Sequence, residues 1–142
     1  MMTVSRESVD VKTNVVMNLK HFSINEFDSP DLPNSGLNMD NDFLQMLDMA
    51  REIANIPFKI NSGYRTEEYN NTLYKKLGRK KNATKSSHTV GKAVDIAYTN
   101  SRERWIIITS LQQAGFNRLG IAKTFVHADS DETKSPNVIW TY

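Results

Sequence analysis

Two short stretches hold most of the residues here that could do chemistry. The chain has three histidines in 142 residues, and two of them lie beside carboxylates. SSHTVGKAVDI (residues 86–96) sets His88 seven residues before Asp95, and KTFVHADSD (residues 123–131) holds His127, Asp129 and Asp131. With no cysteine in the chain, a metal must be held by nitrogen and oxygen ligands, and no disulfide can form. Alternate residues of a strand share a face, so Gly91, Ala93 and Asp95 point one way and Val94 and Ile96 the other. The Asp95 face is made of very small residues, which leaves room beside the carboxylate. Gly91 frees the backbone to bring His88 back toward Asp95. Phe125, His127 and Asp129 share a face of a second strand. His88, Asp95 and His127 would give one zinc ion three ligands and leave a fourth position for water, as in catalytic zinc sites. Hydrogen bonds among the same groups would satisfy them too, so spacing alone leaves both readings open.

The elements that must position these groups can be read outward from them. Asp40–Asn55 is the clearest helix, with Phe43, Leu47, Ala50 and Ala54 on one stripe, joined by Met46 and Ile53, and acids in its first turn. Pro57 cannot continue it. Pro57–Asn61 reads as a short strand. Thr66 caps a helix that opens with Glu67 and Glu68, runs to Leu77 and stops at Gly78. A strand follows through Lys92–Ala97. Asn100 with Glu103 opens another helix, closed by Gly115. Asn117–Ile121 and Thr124–Asp129 read as strands, and NVIWTY as a further strand or a cover over the core. Residues 21–38, rich in Ser, Pro, Asp and Asn, read as turns wrapping a surface. Residues 1–18 read as an extension, with a possible strand at Val11–Met17. Strands and helices mix without a β-α-β rhythm, which predicts an α+β domain with a small, mostly antiparallel sheet and about three helices.

Composition narrows the function. Hydrophobic residues are 39% and charged residues 24%, as in ordinary globular domains, and no apolar run is long enough to span a bilayer. The first twenty residues lack the pattern of a secretory signal, so the expected location is a cytoplasm unless another route exports the chain. Net charge is only +2. YKKLGRKKNATK nevertheless groups Lys75, Lys76, Arg79, Lys80, Lys81 and Lys85 without an acid. That is either a solvated face or a patch that meets a polyanion. No nucleic-acid fold signature accompanies it, so nucleic acid is not an expected partner.

SSHTVGKAVDI matches the S-x-H-x-x-G-x-A-x-D signature and so resembles the zinc D-alanyl-D-alanine carboxypeptidase and L-alanyl-D-glutamate endopeptidase family. INSGYRTEEYN resembles that family's S-G-Y-R-T segment, and FVHAD its terminal metal-histidine segment. HFSINEF is similar to the opening of a small subgroup common in phages and bacteria. The resemblance covers about residues 19–130, in the family's order. It implies a hedgehog-like fold over residues 19–142 and one Zn2+ ion bound by His88, Asp95 and His127. It further implies Arg65 beside the metal, holding a substrate carboxylate or an oxyanion. The implied activity is peptide-bond hydrolysis in peptidoglycan stem peptides, as carboxypeptidase or endopeptidase, of the kind a phage lysis enzyme performs. One departure matters. Many family members carry an acid three residues before the last metal histidine, and here that position is Thr124. Asp129 is the replacement candidate for the general base, or else a carboxylate that orients His127. Asp131 and Glu132 are more distant candidates. Ser87 and Tyr64 are weaker candidates for substrate contact; His21, Tyr69 and Tyr74 are expected to be structural. The absent acid also supports a second reading, a zinc-stabilised wall-binding or virion module without catalysis.

Overall fold

The computed structural model describes residues 18–79 and 85–142. The possible strand at residues 11–17 lies outside the described residues, as do Lys80 and Lys81 of the basic segment.

Helix α1, Asn41–Ala54, begins where the Asp40 carboxylate accepts from the Phe43 N–H at 2.9 Å and ends at Asn55 in the left-handed conformation (φ 54°). It buries Phe43, Leu44, Leu47 and Ala50. The stripe is therefore rotated from the expected one: Leu44 joins it, while Ile53 stays 41% exposed. Strand β1 spans Lys59–Ser62, two residues later than Pro57–Asn61, because Pro57 has no N–H to give a sheet. Helix α2, Glu67–Lys76, is capped by Thr66 Oγ1, which accepts from the Tyr69 N–H at 3.0 Å. Strand β2 is Ala93–Ala97. Helix α3, Ser101–Ala114, starts at Asn100, whose Oδ1 accepts from the Glu103 N–H at 2.9 Å, and stops at Gly115. Strands β3 (Arg118–Ile121), β4 (Phe125–Asp129) and β5 (Val138–Thr141) complete the chain. Among the described residues, no helix is long and apolar enough to cross a membrane.

The five strands form one sheet in the order β1-β2-β4-β3-β5, antiparallel throughout except for the parallel β3–β5 pair. This is the α+β architecture expected from the sequence. Helices α1 and α3 pack on each other and cover one sheet face. Val94, Ile96, Leu119, Val126 and Ala128 meet Phe43, Leu47, Ile107 and Leu111 in a single core, joined by Phe27 from the wrapping segment. Burying each such side chain stabilises the fold by about 1.5–3 kcal/mol.

Side-chain alternation then turns Asp95 and His127 to the opposite face. Strand register places Ser62, Asp95, His127, Gly120 and Trp140 in one row across all five strands. Gly120 has a positional reason: a Cβ there would lie 2.6 Å from Trp140 Nε1. The absent side chain lets the indole lean across β3, and its ring sits 5.5 Å from that of His127.

Candidate metal centre

His88 reaches the site from a 3-10 turn, Ser87–Val90, rather than from the strand. Ser86 caps the turn by accepting from the His88 N–H at 3.3 Å. Gly91 ends it at φ 73°, a conformation that disfavours any side chain, and a Cβ there would also lie 2.3 Å from the Asn38 carbonyl oxygen. The turn folds the imidazole back over β2, as the sequence predicted for Gly91.

Three donor atoms converge, one from each of His88, Asp95 and His127, all within 4.8 Å of one another and all on buried residues. Asp95 Oδ1 stands 2.9 Å from His127 Nδ1 and 3.3 Å from His88 Nε2. The remaining ring nitrogens are engaged behind the site. His88 Nδ1–H donates to the Gly63 carbonyl at 2.8 Å; a carbonyl can only accept, so this bond fixes the proton on Nδ1 and leaves the Nε2 lone pair facing inward. His127 Nε2 donates to Asp129 Oδ2 at 2.8 Å. Two imidazoles and a carboxylate, each ring oriented by an acceptor on its far side, fit a zinc ion in donor type and in outer hydrogen bonding.

Electrostatics divides the two histidines. Burial pushes the His88 pKa down, against the pull of the nearby Asp95 charge, so the ring is held neutral. Burial pushes His127 down as well, but hydrogen bonds to Asp129 and Asp95 outweigh it and the pKa is raised. Without metal both nitrogens of His127 meet carboxylate oxygens, which is the environment of an imidazolium. Burial would raise the Asp95 pKa, but the adjacent imidazoles of His88 and, above all, the charged His127 that donates to it override burial and hold the group well below the usual carboxylate range. Asp129 is likewise lowered: burial opposes the ionised form, and hydrogen bonds from His127 and Arg118 prevail.

Arg65 lies beside the donor cluster, against Asp95. Its Nη2 is 3.2 Å from Asp95 Oδ2, its Nε donates to Ser62 Oγ at 2.9 Å, and its Nη1 to Asn70 Oδ1 at 3.2 Å. Ser87 also faces the cleft, where its Oγ donates to Asp131 Oδ2 at 2.7 Å and accepts from Lys134 Nζ at 2.9 Å. Asp131 is thereby buried under Ser87, while Glu132 is exposed and pairs with Lys92. Tyr64 packs against the core and is not among the cleft-lining residues, whereas Tyr74, expected only to pack, lines the cleft. His21 hydrogen-bonds Glu52 at 2.5 Å, tying the wrapping segment to α1.

Three contributors carried no local signal in the sequence. The Gly63 carbonyl is a backbone group. Arg118, from β3, donates through Nε to Asp129 Oδ1 at 2.6 Å and stacks on Trp140 with its guanidinium carbon 5.1 Å from the ring centre. Trp140 closes the side of His127. Only the strand order β4-β3-β5 brings Arg118 and Trp140 to the site.

A buried His–Asp–His donor cluster that could hold a metal ion thus lies on the open face of the α+β sheet. Residues 20–129 match the sequence model of the family described as Peptidase M15, and the chain belongs to that family. No curated protein matches the chain. The matched segment contains all three donor residues and Arg65, and it ends at Asp129, before β5 and Trp140.

Proposed function

We propose that this protein is a zinc metallopeptidase that hydrolyses peptide bonds in peptidoglycan stem peptides, in the setting of a phage-type wall-lysis enzyme. The observation that carries the reading is the convergence of His88 Nε2, Asp95 Oδ1 and His127 Nδ1, each ring held from behind. Membership of a peptidase family supports it. When bound by these residues, zinc supplies Lewis acidity, acidifying water and polarising a carbonyl.

The chain's own groups then have distinct tasks. Gly63 and Asp129 fix the ring orientations. Arg65, half committed to Asp95 and braced by Ser62 and Asn70, presents a rigid cation to a substrate carboxylate or to the oxyanion that develops at the scissile carbonyl. Asp129 has both oxygens engaged, Oδ2 by His127 and Oδ1 by Arg118, an arrangement that suits orientation of His127 better than proton transfer. Among the described residues, the only carboxylates lining the cleft are Asp95 and Asp129, an observation that favours the second reading: a metal-stabilised wall-binding module that does not cut.

Digestion of purified peptidoglycan separates the two. The zinc-loaded protein, a chelated sample and His88→Ala are compared by mass spectrometry of the released fragments. Cleavage confined to the zinc-loaded wild type establishes the peptidase and its bond. Stoichiometric zinc with an intact polymer overturns the catalytic reading in favour of the binding module.

A further inference from the structure

The cleft in front of the donor cluster has a volume of about 760 Å³, and its charge is lopsided. Among the described residues, five cations line it: Arg65, Arg79, Arg118, Lys123 and Lys134. Two carboxylates answer them, Asp95 and Asp129. Three of the cations are occupied. Arg65 binds Asp95, Arg118 binds Asp129, and Lys134 binds Ser87 Oγ and lies 3.7 Å from Asp131. Among the described residues, Arg79 and Lys123 pair with no carboxylate. They come from separate elements, Arg79 from the segment after α2 and Lys123 from the β3–β4 turn. Apolar and aromatic residues share the cleft lining with them, Leu73, Leu77, Phe125 and Tyr142 among them. Phe125 and Tyr142 meet edge to face with ring centres 5.5 Å apart, and the same cleft holds Arg79, Lys123 and the donor cluster.

Resting on the peptidase reading above, we infer that Arg79 and Lys123 form an anion-recognising subsite that selects stem peptides carrying an extra side-chain carboxylate near the scissile bond. A guanidinium and an ammonium flanked by apolar surface attract a carboxylate and repel an ammonium in the same place. The choice this imposes is between diaminopimelate and lysine at the third stem residue. These two residues differ by one carboxylate on the side-chain terminus.

The test is equilibrium binding, so it does not depend on cleavage. Metal-stripped protein is titrated by calorimetry with L-alanyl-γ-D-glutamyl-X-D-alanine, where X is meso-diaminopimelate or L-lysine. The expected result is roughly 5–20-fold tighter binding of the diaminopimelate peptide at low salt, the size of one or two partly exposed ion pairs. The preference shrinks at about 0.5 M salt, where the Debye length falls to a few ångströms. In Arg79→Gln/Lys123→Gln the two peptides bind within about twofold of each other, as loss of both pairs requires. Equal binding of the two peptides by the wild type overturns the inference. So does a preference that survives the double substitution or high salt, and so does binding of neither peptide. Failure of the peptidase reading is a separate event, seen only in the zinc-loaded digest.

Discussion

Asp95 and Asp129 grip opposite nitrogens of the same imidazole, Asp95 at Nδ1 (2.9 Å) and Asp129 at Nε2 (2.8 Å), so His127 is held as a charged ring between two anions. His88, by contrast, is neutral and offers a bare nitrogen. Metal entering the site therefore displaces a proton from His127 Nδ1 and none from His88 or the already ionised Asp95. Zinc binding near neutral pH is expected to release about one proton per ion. Calorimetric titration in buffers of differing ionisation enthalpy counts it. Release of none, or of two, would show that the metal-free protonation pattern differs from the one described.

The same pattern sets how the metal-free protein responds to pH. The lowered His88 pKa gives stability that is present above the ordinary imidazole range and is lost as pH falls through the folded value. His127, with its raised pKa, gives stability present below that range and lost as pH rises through the folded value. Both contributions are present near the unperturbed imidazole pKa of ~6.5, where their opposite pH slopes balance, so thermal stability of the chelated protein should peak there and fall on both sides. Zinc keeps both rings neutral and removes the alkaline decline. Melting temperatures from pH 5 to 9, with and without zinc, give the comparison; a metal-free profile that climbs steadily through this range would contradict it.

Replacing Asp129 by Asn separates orientation from proton transfer. If the carboxylate acts through His127, zinc affinity falls about 10–100-fold, as for other outer partners of metal histidines. A chelating dye in competition reports the affinity. Unchanged affinity with collapsed turnover would return Asp129 to the role of general base.

Arg65→Lys keeps the charge but loses the planar fork that reaches Ser62, Asn70 and Asp95 together. Zinc binding should survive, while kcat/KM on a stem peptide drops roughly 10²–10³-fold, the usual cost of losing one donor to a developing oxyanion. Loss of zinc in parallel would mean that Arg65 serves the metal cluster rather than the substrate.

At Gly120, alanine places a Cβ 2.6 Å from Trp140 Nε1, so the indole must move off His127. Overpacking of this kind destabilises by about 1–3 kcal/mol. Combining Gly120→Ala with Trp140→Ala should recover part of the loss, a non-additivity expected of side chains in contact. Simple additivity in urea unfolding would rule out the contact as the cause.

Alternation and the Gly91 turn are local, so the sequence could bring His88 toward Asp95 and set His127 on one strand face; that the two segments share one site came from the resemblance, because the β2–β4 pairing that joins them is long-range. The helix ends were legible because Asp40, Thr66 and Asn100 cap by local hydrogen bonds. Arg118 and Trp140 were not. Each sits in a short strand with no distinctive spacing, and its role appears only once β3 lies between β4 and β5. The helix stripe was misread at Ile53 for a related reason: where α1 is covered depends on α3, and no property of α1 alone says which flank stays in water.

The row Ser62, Asp95, His127, Gly120, Trp140 ties the site to the whole sheet, edge to edge. A slip of one residue in any of its pairings would turn that strand's member of the row toward the helices. No folding species with part of the sheet formed can hold the finished constellation. Metal binding would therefore report the β2–β4 pairing and the Gly91 turn that join the three donors, and an ion held there would lock the register of strands that begin more than thirty residues apart in the chain.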